Sequence, residues 1–368
     1  MKIPFHFHLV VLLLGGILFF YVLDVASLIL IPLVFAALMS LFLLPLCRKL
    51  EQWNFSRGLA IASSLLVVVL GIVVIISLIY SNLISFQTDL PQMQSRSKDL
   101  VVLLQNTIAK QFQISEEQQL LWLKQNLDGL INAAGKQLNG VINSLSIYFS
   151  QLFIIPIYVF FMLYYRNIFK NFVLKIINDQ HIEKATVIEN QIQTVVQKYI
   201  VGLFSVVSII AMLNITGLVL IGVKHALFFG ILAGFLTIIP YIGIFIGASL
   251  PVLYALVMYD SLYIPLAVLV WFVIVQFLEG NFITPNIVGS QVSINPLVAM
   301  LALLVGGTVW GIAGMILFVP LVAICKVVLD NIPTLSPYGY LLGEGDKPVA
   351  TPEQVSFWRT WLAKLRKK

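Results

Sequence analysis

The sequence predicts an all-α, polytopic membrane protein. It should have about eight transmembrane helices, broken or re-entrant helices in the C-terminal half, and an extracytoplasmic helical hairpin. Three observations carry this. Hydrophobic residues make up 60% of the 368 and charged residues only 10%, with a mean hydropathy of +0.99; soluble domains carry about a quarter charged residues. The apolar residues gather into runs of about 20, the length a bilayer demands. Between the apolar runs 262–278 and 296–329 lies Glu279-Gly280-Asn281-Phe282-Ile283-Thr284-Pro285-Asn286-Ile287-Val288-Gly289. Such polar, helix-breaking residues are costly beside hydrocarbon unless protein or water surrounds them.

A soluble chain of this size could not hide that much apolar surface, so a lipid bilayer is the first partner implied. The formal net charge of +6 is read for orientation, because basic residues flanking spans mark the cytoplasmic side. It is not a nucleic-acid footprint. Cys47 and Cys325 each end an apolar span on the expected cytoplasmic side, where disulfides are rare, and are read as free packing residues.

Residues 1–83 form three membrane helices. The first, 7–23, reaches Asp24, which marks a tight turn into the second, 27–46, with Pro32 and Pro45 inside it. Arg48, Lys49 and Arg57 make the next loop basic and therefore cytoplasmic, which places the N-terminus there too. The third runs 59–83. Residues 84–140 turn polar and balance five bases against five acids, which fits the outer face. Ser115-Glu116-Glu117-Gln118 is a capping-box pattern. Behind it Leu120, Leu123, Leu127, Leu130 and Ala134 repeat at helical spacing, predicting a hairpin packed on the helix before it.

Residues 141–165 are the fourth span. Residues 166–198 return to the cytoplasm, with Phe169, Phe172, Val173 and Ile176 marking a helix in the membrane interface. Residues 199–330 are a C-terminal membrane core of Pro- and Gly-broken helices, and 331–368 a basic cytoplasmic tail. In the fifth span, Asn214 and Thr216 are read first as hydrogen-bonding groups between helices, and only second as lining a path. Pro240, Gly243, Gly247 and Pro251 predict a broken sixth helix, and a break at membrane depth frees backbone groups that can hold a solute or ion. Gly280, Pro285 and Gly289 interrupt the chain after the seventh span. The run 296–329 is too long for one straight span; Gly306, Gly307 and the nearby Gly311 and Gly314 bend it, tilt it or fold it into a hairpin.

The candidate transport-path or coupling residues are Glu279, Gln276, Asn281, Asn286, Asn295 and Tyr241. Glu279 and Gln276 share a helix face three residues apart. A carboxylate held in the membrane can alternate between charged and neutral forms; the competing readings are a structural hydrogen bond or a solvated loop residue. The asparagines offer amide contacts to a polar solute. No cofactor, metal site or catalytic residue is expected. Gly217 to Lys224 misses the phosphate-loop spacing, and neither the paired-histidine zinc pattern nor the nucleophile elbow occurs. His181 and His225 stand alone in expected loops, and Lys326 and Asp330 read as a surface pair.

The stretch from Gly217 through Gly222, Gly230 and Gly234, then Ile239-Pro240-Tyr241-Ile242-Gly243 and Leu278-Glu279-Gly280-Asn281, resembles the autoinducer-2 exporter (AI-2E) family of bacterial permeases. Pro296-Leu297, Gly306-Gly307, Trp310-Gly311, Gly314-Met315 and Val319-Pro320-Leu321 continue the likeness. Ile244 departs from it, standing where a proline commonly follows. The resemblance implies a non-enzymatic, multi-pass inner-membrane exporter of a small polar solute. Some members of that family are linked to the quorum-sensing furanone autoinducer-2, others to cation/proton exchange. The alternative is a non-transporting scaffold, homo-oligomeric through its small-xxx-small patterns, that recruits partners by the outer hairpin and basic tail.

Overall fold

In the computed structural model the described residues are 5–112, 154–176, 182–239, 242–289 and 293–345, and their regular elements are all helical. Five of the helices are long and apolar enough to cross a membrane, and shorter apolar helices accompany them. The chain is a multi-pass membrane protein.

Helix α1 (Phe5–Val25) turns at Ala26 into α2 (Ser27–Gln52), so Asp24 sits at the expected corner. Helix α3 (Arg57–Phe112) carries the third span, whose apolar part ends at Asn82, next to the expected residue 83, and the helix then continues unbroken. It is 56 residues in all, about 84 Å at 1.5 Å per residue. Between Gly71 and Pro91 nothing breaks it, and it outruns the ~30 Å hydrocarbon core. The return arm of the expected hairpin, with its capping box, lies outside the described residues.

Helix α4 (Ile154–Tyr164) and α5 (Arg166–Ile176) meet α2 and α3 at what we call the basic end of the bundle. There Arg166 Nη2 donates to Glu51 Oε2 at 2.5 Å, and Arg57 Nη2 to the Leu163 carbonyl at 3.2 Å. Ala36, Leu43, Cys47, Ile61, Val159 and Leu163 fill the core between α2, α3 and α4. Cys47 lies 3.3 Å from Ser64 Oγ, and it and Cys325 are both free. Helix α6 (Ile182–Ile221) fuses the expected amphipathic stretch and fifth span into one helix of 40 residues.

Two hairpins follow. Helix α7 (Ala226–Leu236) stops at the expected break and α8 (Ile242–Met258) doubles back along it. Gly243 makes the reversal sterically possible: a Cβ there would sit 1.7 Å from the Leu236 carbonyl oxygen. Gly247 packs on Ala233. At the base, Tyr259 Oη donates to the Gly222 carbonyl and accepts from the Lys224 amide, both at 2.9 Å. Pro251 lies inside the continuous α8 and breaks nothing. Pro240 and Tyr241 fall outside the described residues.

Helix α9 (Tyr263–Leu278) runs back along α6 and passes into two wide π-type turns, Glu279–Ile283 and Pro285–Gly289. Gly280, Pro285 and Gly289 thus widen the helix rather than open a loop. Helix α10 (Pro296–Asn331) resolves the long apolar run as a hairpin. Trp310 (φ −128°, ψ 17°) and Gly311 (φ 58°, ψ −136°) leave helical geometry, and a positive φ suits glycine. A Cβ on Gly314 would lie 1.9 Å from the Gly306 oxygen; eight residues along a straight helix span about 12 Å. The break therefore falls at Trp310–Gly311, while Gly306 and Gly307 supply the close contact between arms. Helix α11 (Ser336–Leu342) closes the base, since Asn295 Nδ2 donates to the Leu341 and Gly343 carbonyls at 2.9 and 3.0 Å.

The hairpins enter from opposite ends. That of α10 has its base at the basic end, where Asn331 Nδ2 donates to Gln191 Oε1 at 2.7 Å near the start of α6. The base of α7–α8 lies beyond the far end of α6, clamped to α3. Lys224 Nζ donates to both Asp89 carboxylate oxygens at 3.0 and 2.9 Å, His225 Nε2 lies 3.0 Å from Oδ2, and Tyr254 Oη donates to Oδ2 at 2.9 Å. Arg96 Nη1 adds a 2.7 Å bond to the Met258 carbonyl. His225 is thus not alone, as its loop position led us to expect. Burial would raise the Asp89 pKa, but the bonds from Lys224, His225 and Tyr254 outweigh it and hold the carboxyl at about 2. A depressed folded value stabilises the clamp above the ordinary carboxylate range, and that stabilisation is lost as pH falls from about 4 toward 2.

Asp89→Ala strands a buried hydrogen-bonding set and should cost about 3 kcal/mol. Hydrogen exchange should then quicken at the Lys224 amide. Unchanged protection there would show that Asp89 does not hold the hairpin base.

Candidate functional site

Three elements converge where the tip of α7–α8 meets α6 and the end of α9. The α7 helix lies close on α6 because Gly230 abuts Ile215 and Gly234 abuts Ala211; a Cβ at either would come within 2.7 Å of its neighbour. The α9 helix is held by Trp271 Nε1, which donates to the Leu213 carbonyl at 3.2 Å, with the indole ring resting on Gly217. Val206, Ile210 and Val275 seal the contact.

Beside this apolar contact is a small, partly open cavity of about 20 Å³ lined by Asn214, Thr237, Gly243, Gln276 and Glu279, among others. That is room for about one water or a bare ion. Asn214 is 2% exposed, and among the described residues its Oδ1 has no hydrogen-bond partner. Glu279 is 9% exposed, and among the described residues no cation pairs with it. Buried oxygens without partners cost free energy. A carboxylate, a bare amide oxygen, a second amide and a hydroxyl around one small space can hold a water, a proton or a cation. The depth is substantial: Glu279 lies 16 residues past Tyr263, about 24 Å along the helix.

Of the residues expected to form the path, Glu279 and Gln276 come together here, and the hinge glycines Gly243 and Gly247 line the same cavity. The asparagines do not join them. Asn281 is exposed, and its amide donates to the Phe277 carbonyl one turn back at 2.9 Å. Asn295 caps α10, accepting from the Val298 amide at 2.8 Å. Asn286 is exposed on the second π-type turn. The sequence favours Asn214 as an inter-helix hydrogen-bonding group, and here the structure differs, leaving its oxygen bare at the cavity wall. A signal existed: it is the one amide between Ile200 and Thr216, where the other polar groups are the hydroxyls of Ser205, Ser208 and Thr216, each satisfied by a carbonyl of its own helix.

The matched family model, AI-2E family transporter, covers residues 7–334. This chain belongs to the AI-2E transporter family. It is therefore a transporter-family protein and not an enzyme. The AI-2 transport protein TqsA of Escherichia coli is 26% identical over 336 residues, covering 90% of this chain and 92% of TqsA. A Haemophilus influenzae relative is also 26% identical over 348 residues, covering 91% and 94%. The Bacillus subtilis protein YrrI is 33% identical over 192 residues, but the match spans only 54% of its length. A second B. subtilis relative, YueF, is matched over 58%. The AI-2E likeness read from the glycine and proline pattern is borne out over most of the chain.

Proposed function

We propose that this AI-2E protein exports a small polar solute across the bacterial inner membrane, using the Asn214–Glu279 cavity as part of its path and a proton or cation as the coupling species. One observation carries the reading: a carboxylate and an unpartnered amide oxygen face a water-sized cavity at the tip of a hairpin inside the bundle. Structural polar groups at membrane depth satisfy one another; these do not. The name of the full-length relative TqsA supports a small signal molecule such as autoinducer-2 as the first solute to test.

The arrangement also supports a topology. Helices α1, α2, α3, α4, α6 and α9 cross the bilayer, and α7–α8 and α10 dip into it from opposite faces. Arg48, Lys49, Arg57, Arg166 and Lys170 gather at the basic end, which favours that end as cytoplasmic, with both termini there. Opening of either hairpin would admit water to the cavity from one face at a time.

The test is flux in proteoliposomes. Vesicles bearing the protein should move autoinducer-2, or another small polar solute from a panel, faster than protein-free vesicles. Asn214→Leu should abolish the excess. It should also raise the thermal midpoint, because removing an unsatisfied buried oxygen relieves about 1–3 kcal/mol. A stabler protein that transports less would mark Asn214 as a group kept for function. Undiminished flux in Asn214→Leu would remove this cavity from the path.

A further inference from the structure

We infer that a membrane phospholipid docks between α5 and the bundle, one acyl chain in the cavity there and its phosphate at Arg166 and Lys170. The inference is independent of the transport reading, because the cavity lies at the basic end and shares no residue with the Glu279 site.

The cavity measures about 470 Å³ and its apolar wall includes Ala37, Leu44, Leu163, Phe169, Ile188 and Ile192, drawn from α2, α4, α5 and α6. Helix α5 supplies one wall without closing it: Phe169 and Val173 line the cavity yet stay 55% and 49% exposed, and no residue of α5 is buried. An amphipathic helix with charged and apolar faces lies in the interface plane, its apolar side at the acyl boundary. The space beneath α5 is therefore continuous with the region where lipid chains end, and hydrocarbon is what meets it.

The polar edge selects the headgroup. Arg166 and Lys170 both line the cavity, one helical turn apart. Arg166 gives Nη2 to Glu51, and its Nη1 is buried with no hydrogen-bond partner among the described residues, so a small turn of the guanidinium would present it to the rim. Lys170 holds Glu189 at 2.8 Å with both side chains partly exposed, a pairing worth little and easily shared. A guanidinium with a spare donor beside an ammonium matches phosphate, which accepts several charge-assisted bonds. A fatty chain below and a phosphate at the rim describe a phospholipid.

The test uses the purified full-length chain and native mass spectrometry, with palmitoyl-oleoyl phosphatidylethanolamine or phosphatidylglycerol added, and the matching diacylglycerol as a headgroup-free probe. The wild type should retain one phospholipid per chain after detergent exchange. Ala185→Trp, which puts an indole into the cavity wall, should lower the retained fraction at least fivefold. Lys170→Gln, a change at an exposed position, should lower phospholipid retention about threefold and leave diacylglycerol retention unchanged. Equal retention by Ala185→Trp, or displacement of the lipid by detergent alone, would mean only annular lipid and overturn the proposal. So would Lys170→Gln affecting both probes alike, since the edge would then not read phosphate.

Discussion

Replacing Glu279 with Gln should cut proteoliposome flux at least tenfold at neutral pH while leaving expression and folding unchanged. Gln keeps the shape of the side chain and removes its capacity to exchange a proton or to balance a cation. The carboxylate lies against the same small cavity as Asn214, Gln276 and Thr237, so the loss falls where charge compensation is scarce. Glu279→Asp retains the ionisable group one methylene further back and should recover part of the flux. The contrast comes from Asn281, whose amide is spent on its own helix; Asn281→Ala should stay within a factor of two of wild type. Flux in Glu279→Gln within that same factor would refute the assignment of the site.

Gly314→Ala should be strongly destabilising. The added methyl would lie 1.9 Å from the Gly306 carbonyl oxygen, so the arms of α10 must part by more than 1 Å. Neither neighbour can yield, because both atoms are backbone. Overpacking of this kind costs about 1–3 kcal/mol and sometimes more. Loosened arms would also disturb the bond from Trp310 Nε1 to the Leu23 carbonyl, now 2.9 Å. Little folded protein should survive detergent extraction, read as a collapsed size-exclusion peak and a lowered thermal midpoint. Gly280→Ala is the control: nothing lies within 4 Å of its Cβ position, and it should behave as wild type. A Gly314→Ala variant as stable as the parent would mean that the arms are not packed as described.

Much of the architecture was legible because lipid imposes a simple rule, that backbone polar groups be satisfied within the span. Long apolar runs therefore announced helices, and Gly243 and the Gly306–Gly314 region announced where helices reverse or touch. Helix ends were harder than span ends. The third span ends at Asn82, where polarity rises as expected, but nothing there forces a helix to end, so α3 runs on beyond it. The candidate site was half visible. Glu279 and Gln276 share a helix face that periodicity reveals, while Asn214 joins them only through the packing of α9 on α6. The Asp89 cluster was hidden for the same reason, its partners lying 135 to 165 positions away in sequence. Asn295 was a different kind of miss: an asparagine directly before a proline at a helix start is a capping signal, and it outweighed any role as a solute ligand.

The reversal at Trp310–Gly311 fixes the parity of the chain. A straight passage from Pro296 would deliver Asn331 to the opposite compartment from Asn295; the turn returns it to the same one. Reporters inserted at Ser293 and fused after Gly345 should therefore light up together. Split signals would show that the chain crosses there after all.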